Sequence, residues 1–295
     1  MSAEILDGKA TAQQIRTELA EEVRELTEKL GRPPGLTVVI VGEDPASKVY
    51  VRMKHRACGE IGIASEVIEM SVETTTEELL ATVKRLNADR AVDGILVQLP
   101  LPKQIDEQTI IEAVAPDKDV DCFHPINVGL MMVGKARFLP CTPAGCLELL
   151  RRAGHTTRGK NVTIVGRSNI VGRPLSVMLA HRGEMADATV TVCHTKTRDL
   201  AAECRRAEIL IVAAGVPQCV TADMISPGAV VVDVGVNRVE DTTTKSGYRL
   251  VGDVEFEGAK GVASAITPVP GGVGPMTIAM LLTNACTAAR GHLGV

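Results

Sequence analysis

The chain has 295 residues, 45% of them apolar and 23% charged, with a formal net charge of −4; that fits one large globular domain or two ordinary ones. Without a basic excess, and with two tyrosines, three phenylalanines and no tryptophan, it has neither the field nor the stacking platforms of a nucleic-acid binder. No apolar run is long enough to span a membrane, the start Met1-Ser2-Ala3-Glu4-Ile5-Leu6-Asp7 lacks the pattern of a signal peptide, and eight scattered cysteines show no C-x-x-C or zinc-like spacing, so the expectation is a cytoplasmic protein with reduced thiols and no metal site.

In chain order, the pattern predicts a helix over about 11–30 and a strand at 36–41. A helix follows, with Asp44 as its N-cap and Pro45 in its first turn. Next come a strand at 65–70, a helix over about 76–89 and a strand at 94–99. A connecting helix is expected over 142–154, started by Pro143 and stopped by Gly154. A second set of strands is predicted near 161–165, 189–193, 208–213, 229–234 and 262–266, and a last apolar helix over 276–290 packs back on the first set. Alternation of this kind builds parallel sheets with right-handed crossovers. The fold class is therefore α/β with two domains, residues 1–140 plus 276–295 and residues 141–275, and the cleft between two such domains is the usual ligand site. Cys58, Cys146, Cys204 and Cys286 lie in apolar segments and read as small buried hydrophobes.

The helix begun at Asp44 carries Tyr50, Lys54, Ala57 and Ile61 on one stripe, with Lys48, Arg52, Arg56 and Glu60 away from it. Lys54 is thus a lysine off the charged face. It either snorkels at the stripe's edge or faces a cleft beside the Tyr50 hydroxyl, where partial desolvation would lower its pKa and suit it to moving protons. The strand at 94–99 leaves through Gln98-Leu99-Pro100-Leu101-Pro102, a stiff exit in which one X-Pro bond could be cis. Pro116-Asp117-Lys118-Asp119-Val120-Asp121-Cys122-Phe123-His124-Pro125 packs three acids around one lysine without the glycine and glutamate of a calcium loop. The segment is either a solvated turn or the source of a carboxylate for a ring amide or amine, and a histidine before proline reads as structural.

In the second half, Asn161-Val162-Thr163-Ile164-Val165 reads as a buried parallel strand that breaks into Gly166-Arg167-Ser168-Asn169-Ile170-Val171-Gly172 before a helix. Glycines at a strand-to-helix turn admit a diphosphate to the helix N-terminus, although the spacing departs from G-x-G-x-x-G. After the strand at 189–193 come His194, Thr195, Lys196, Thr197 and Arg198, with no acid before Asp199. A carboxylate there would hold a 2′-hydroxyl and repel a 2′-phosphate, so the loop favours NADP. Finally, Thr267-Pro268-Val269-Pro270-Gly271-Gly272-Val273-Gly274-Pro275-Met276-Thr277 is a rigid turn into the last helix, open to close approach by a ligand.

These segments together resemble the bifunctional methylenetetrahydrofolate dehydrogenase/cyclohydrolase family. The resemblance rests on Tyr50-Val51-Arg52-Met53-Lys54, Gln98 to Pro102, Lys118 to Asp121, Gly166 to Pro174, Cys193 to Thr197, Asp233-Val234-Gly235-Val236-Asn237 and Pro268 to Thr277, in family order along nearly the whole chain. It implies oxidation of 5,10-methylenetetrahydrofolate with NADP, hydrolysis of the methenyl product to 10-formyltetrahydrofolate, and a homodimer. By resemblance, Lys54 is the key group of the hydrolysis with Tyr50 and Gln98 beside it. Asp121, Tyr50, Pro270 and Gly272 meet the folate. Gly166, Arg167, Ser168, Thr195 and Val236 meet the cofactor in a Rossmann-like domain. One departure stands out: Cys122 occupies a position where the family usually has glycine, so a positive φ there would strain it, and its thiol is a candidate for oxidation. A two-domain dehydrogenase of the shikimate type and a non-catalytic dinucleotide sensor are the alternatives.

Overall fold

The computed structural model describes residues 2–244 and 247–291. In chain order the elements are β1 (Glu4–Ile5), α1 (Gly8–Leu30), β2 (Gly35–Val41), α2 (Pro45–Ile61), β3 (Ala64–Met70), α3 (Thr76–Ala88) and β4 (Gly94–Val97). They continue with α4 (Glu107–Ala113), α5 (Pro125–Met132), α6 (Cys141–Arg152), β5 (Asn161–Val165), α7 (Gly172–Ala180), β6 (Thr189–Cys193), α8 (Leu200–Arg205) and β7 (Ile209–Val212). The last are β8 (Val230–Asp233), β9 (Asn237–Glu240), β10 (Tyr248–Val251), α9 (Phe256–Lys260), β11 (Ala265–Ile266) and α10 (Val273–Gly291). The chain forms two compact units, one of Gln13–Cys141 with Ile278–Val295 and the other of Met1–Ala12 with Thr142–Thr277.

The first unit is built on a three-stranded parallel sheet in the order β3-β2-β4. β2 is buried along its whole length, as its unbroken Leu36-Thr37-Val38-Val39-Ile40-Val41 run requires of a strand covered on both faces. Fully buried Asp93, just before β4, accepts both guanidinium bonds of Arg32 at 2.7 and 2.8 Å and the N–H of Gly35 at 2.7 Å, so one carboxylate pins the starts of two adjacent strands. Val39, Val41, Leu79, Val83, Leu86, Ile95 and Ile110 form the core between this sheet and α3 and α4.

The second unit carries a six-stranded parallel sheet in the order β1-β11-β8-β7-β5-β6 and an antiparallel hairpin of β9 and β10. β5 has β6 on one side and β7 on the other, so consecutive crossovers leave it in opposite directions. That reversal is the switch point at which open α/β sheets place ligands.

The division differs from the expected one at its start. Residues 1–12 group with the second unit because β1 pairs with β11, Glu4 opposite Ala265 and Ile5 opposite Ile266. Two residues of strand are too few for a periodic signal. The hairpin, too, gave no clear pattern, because its strands are four residues each.

Candidate active site

In α2, Asp44 caps the helix by accepting the Ser47 N–H at 2.7 Å, and Gly62 ends it at a φ of 87°. The buried row is Ser47, Val51, Lys54, Ala57, Cys58 and Ile61. Lys54 therefore occupies a core-facing position and is only 5% exposed, while Tyr50 sits half-buried at the edge of that row. A buried lysine needs its donors satisfied. Nζ donates to Gln98 Oε1 at 3.1 Å and lies 5.1 Å from the centre of the Tyr50 ring. Gln98 in turn is fixed by β4: its backbone N–H reaches Val39 O at 2.8 Å, and its Nε2 donates to Leu99 O at 2.7 Å, which turns the amide oxygen towards the lysine. The Leu99–Pro100 bond that follows is cis.

The acidic motif resolves residue by residue. Lys118 donates to Leu86 O at 3.1 Å and Asp89 O at 2.6 Å, closing the end of α3. Asp119 accepts the N–H groups of Phe123 (3.2 Å) and His124 (2.9 Å) and Asn127 Nδ2 (2.8 Å). His124 caps α5, with Nδ1 accepting the Ile126 N–H at 3.0 Å and Nε2 beside Glu112 O at 3.2 Å, so it is structural. Asp121 differs from Asp119: the contact to its carboxylate comes from Cys141 Sγ, at 3.7 Å. It lines a recess with Val97, Leu99 and Phe123, and Val120, the residue before it, is fully buried. Desolvation raises its pKa, opposed by the charge of nearby Lys54 and reinforced by Asp119.

Cys122 adopts a φ of 61°, the left-handed conformation that glycine takes without cost. Its buried thiol donates to Phe138 O at 3.2 Å. Burial, then Asp119 and Asp121, push that thiol up to about 12. Oxidation of a thiol proceeds through the thiolate, the form that burial here disfavours.

In the second unit, Gly166 leaves β5 at a φ of 128°, and a Cβ there would sit 2.1 Å from Ala213 O. A Cβ at Gly172 would lie 2.1 Å from Gly166 O, so both glycines are required by the turn itself. Ser168 Oγ accepts the Val171 N–H at 3.1 Å, and Arg167 is exposed. Thr195 is exposed two residues past β6, in a turn closed by Thr197 Oγ1 on the His194 N–H at 2.9 Å. Asp199, the first acid after β6, is spent capping α8 through the Ala202 N–H at 2.9 Å. Val236, 58% exposed, follows the end of β8. All five lie beyond the C-terminal ends of parallel strands, on one edge of the sheet. Gly272 and Pro270 belong to this second unit, where a Cβ on Gly8 would fall 1.7 Å from Gly272 O; the Val269–Pro270 bond is cis.

Sequence reasoning missed Asp253. Its Oδ2 accepts the N–H groups of Ala214 (2.7 Å) and Gly215 (2.8 Å), holding the loop after β7 beside Gly166, and its Oδ1 takes Asn237 Nδ2 at 2.8 Å. The small residues Ala213-Ala214-Gly215 at a strand end were the available signal. Buried Asp233 underlies it, accepting the N–H groups of Gly235, Asp253 and Val254, yet desolvation still raises its pKa to about 7.

At Cys122, glycine would relieve the left-handed strain while losing a buried thiol, so Cys122→Gly should stay within about 1 kcal/mol of the parent in denaturant unfolding. Cys122→Val, with a branched Cβ at positive φ, should cost about 2 kcal/mol or more. Equal losses in the two variants would mean that the backbone at this position is not held left-handed.

The comparisons with known proteins agree with this geometry. The family described as tetrahydrofolate dehydrogenase/cyclohydrolase matches through its catalytic domain at residues 6–121 and its NAD(P)-binding domain at residues 140–293. The "Bifunctional protein FolD" of Moorella thermoacetica is 57% identical over 290 residues, 98% of this chain and 100% of that protein. The crystal structure of the FolD dehydrogenase/cyclohydrolase from Campylobacter jejuni is similar at a TM-score of 0.92 and 47% identity, covering 99% of this chain and 100% of that one. The Trypanosoma brucei FolD, solved with NADP cofactor and inhibitor, is similar at 0.95 and 41%, covering both chains fully. The chain belongs to the tetrahydrofolate dehydrogenase/cyclohydrolase family.

Proposed function

We propose that Lys54, Tyr50 and Gln98 are the catalytic residues of this chain, that Asp121, Tyr50, Pro270 and Gly272 bind the folate, and that Gly166, Arg167, Ser168, Thr195 and Val236 bind NADP. The enzyme oxidises 5,10-methylenetetrahydrofolate with NADP and hydrolyses the resulting 5,10-methenyl cation to 10-formyltetrahydrofolate. The observation that carries the residue assignment is the buried Lys54–Gln98 hydrogen bond, in a row of α2 that otherwise holds small and apolar residues.

The residues present fit NADP: a glycine turn that no side chain could replace lies at the switch point, and the first acid after β6 is already committed to a helix cap. The chemistry supplied by NADP is acceptance of a hydride from the methylene carbon. That step asks the protein chiefly to orient two carbons, and Asp121, placed to accept N–H bonds from the pterin ring, provides orientation. Hydrolysis asks for more. Water must lose a proton as it adds to the methenyl carbon, and Lys54 is the group positioned to manage that proton. The Gln98 oxygen holds Nζ in place. The Tyr50 ring shields the same atom from bulk water. A sensor would have no use for a lysine so placed, and a shikimate-type dehydrogenase would not call for Gln98 to Pro102 or for the turn at Thr267 to Thr277.

We further place the protein in the cytoplasm as a homodimer. All eight cysteines are free thiols, as a reducing compartment keeps them. β3 is an edge strand, and Val49, Met53 and Val72 near it expose large apolar side chains, a combination that suits pairing with a second copy.

Lys54→Ala should slow hydrolysis of added methenyltetrahydrofolate by about a hundredfold or more while NADP-dependent oxidation continues and methenyl product accumulates; hydrolysis at the parent rate would refute the assignment. Gly166→Ala should weaken NADP binding about tenfold or more, because its Cβ must displace the Ala213 carbonyl, yet leave hydrolysis of supplied methenyl substrate near the parent rate. Unchanged NADP affinity would detach this turn from the cofactor. Sedimentation equilibrium at micromolar protein should give twice the 31.2 kDa chain mass; a monomer would rule out the dimer.

A further inference from the structure

Asp121 is held from a distance by a residue that the catalytic assignment does not include. Asn284, on α10, is 8% exposed and directs its side-chain amide into the backbone around the acidic motif. Its Nδ2 donates to Val120 O at 2.8 Å and to Leu139 O at 2.9 Å, which uses both amide protons on two carbonyls separated by nineteen positions of sequence. Cys141 Sγ lies 3.7 Å from the same nitrogen, 3.4 Å from Val120 O and 3.7 Å from Asp121 Oδ1. On the other side of Asp121, the Cys122 thiol reaches Phe138 O. The segments 119–122 and 138–141 are therefore laced together immediately before and immediately after Asp121, the carboxylate proposed to bind the folate. Asn284 is the member of this lacing that makes two full-length hydrogen bonds, and it is contributed by a helix far away in sequence.

We infer that Asn284 is a positioning residue for folate binding: by clamping the carbonyl of Val120 to that of Leu139 it sets the direction of the Asp121 carboxylate. The inference rests on the folate-binding role proposed above for Asp121. The physical ground is that a side chain aims no better than the peptide unit it hangs from, and a peptide carbonyl that loses a buried donor rotates to find another. The thiol contacts are too weak to substitute, since sulfur is a poor donor.

The test compares Asn284→Leu, which keeps the branched outline but removes both donors, with Asn284→Ser, whose hydroxyl keeps one donor, each in the parent and in an Asp121→Asn background. In the parent, Asn284→Leu is expected to raise KM for 5,10-methylenetetrahydrofolate about fivefold or more, with Asn284→Ser between it and the parent, while KM for NADP stays within about twofold and kcat is largely kept. In the Asp121→Asn background the same substitutions should add nothing further, because the carboxylate they aim is gone. A folded Asn284→Leu with unchanged folate KM would overturn the inference. So would KM changes of equal size for folate and NADP, an additive effect in the Asp121→Asn background, or failure of both variants to fold, each of which makes Asn284 a general stability element. If Asp121→Asn itself leaves folate KM unchanged, the folate role of Asp121 fails first and separately.

Discussion

A lysine on the inward row of a helix is the constraint around which the first unit is arranged. Burying Nζ among apolar neighbours is unfavourable unless its donors find acceptors, and here the acceptor is a side chain at the end of a strand. Gln98 can serve only if β4 ends where it does and the amide is turned the right way, which its bond to Leu99 O ensures. β4 in turn is held by the Arg32–Asp93–Gly35 cluster at its start. Gly94 keeps the strand close to the acidic motif, since a Cβ there would press to 2.6 Å from Val120. Lysine, amide and carboxylate are thus three consequences of one packing arrangement.

Much of this could be read from the chain. The Asp44-Pro45 start and the residue stripe of α2 were legible because capping and helical periodicity are local, and they put Lys54 on the correct face. β2, β5, β7 and β8 were legible because strands buried on both faces are continuous runs of branched apolar residues. The positive φ at Cys122 was foreseeable only as a condition, and the structure meets it. What escaped depends on contacts distant in sequence. β1 is a two-residue strand defined entirely by its partner β11. Asp253 and Asn284 resemble any polar residue in a turn or a helix until the carbonyls and N–H groups they meet are brought beside them. Tyr50 fell at the edge of the buried row rather than within it, a shift of part of a turn that period alone cannot resolve.

The second unit shows how little side-chain chemistry the turn proposed for the dinucleotide requires. Gly166 and Gly172 are fixed by the backbone atoms they approach, and the sheet order that puts β5 between β6 and β7 makes the turn a switch point. The loops that surround it are tied by carboxylates from below. Asp253 holds the exit of β7, and Asp233 holds Asp253 and Val254 through their N–H groups. Polar groups buried beneath a binding edge give it stiffness without placing any charge on the ligand's side.

The capping role of Asp199 bears on how cofactor preference could change over evolutionary time or in the laboratory. Recruiting that acid to a ribose hydroxyl would take the N-cap from α8, a helix of only six residues, and so couple a gain in NAD affinity to loss of local structure. The less costly route to NAD is a new acid in the exposed turn at Thr195 or Lys196, with Asp199 left untouched. Specificity in this chain is therefore insulated from drift at the nearest existing carboxylate and open to change three or four residues earlier.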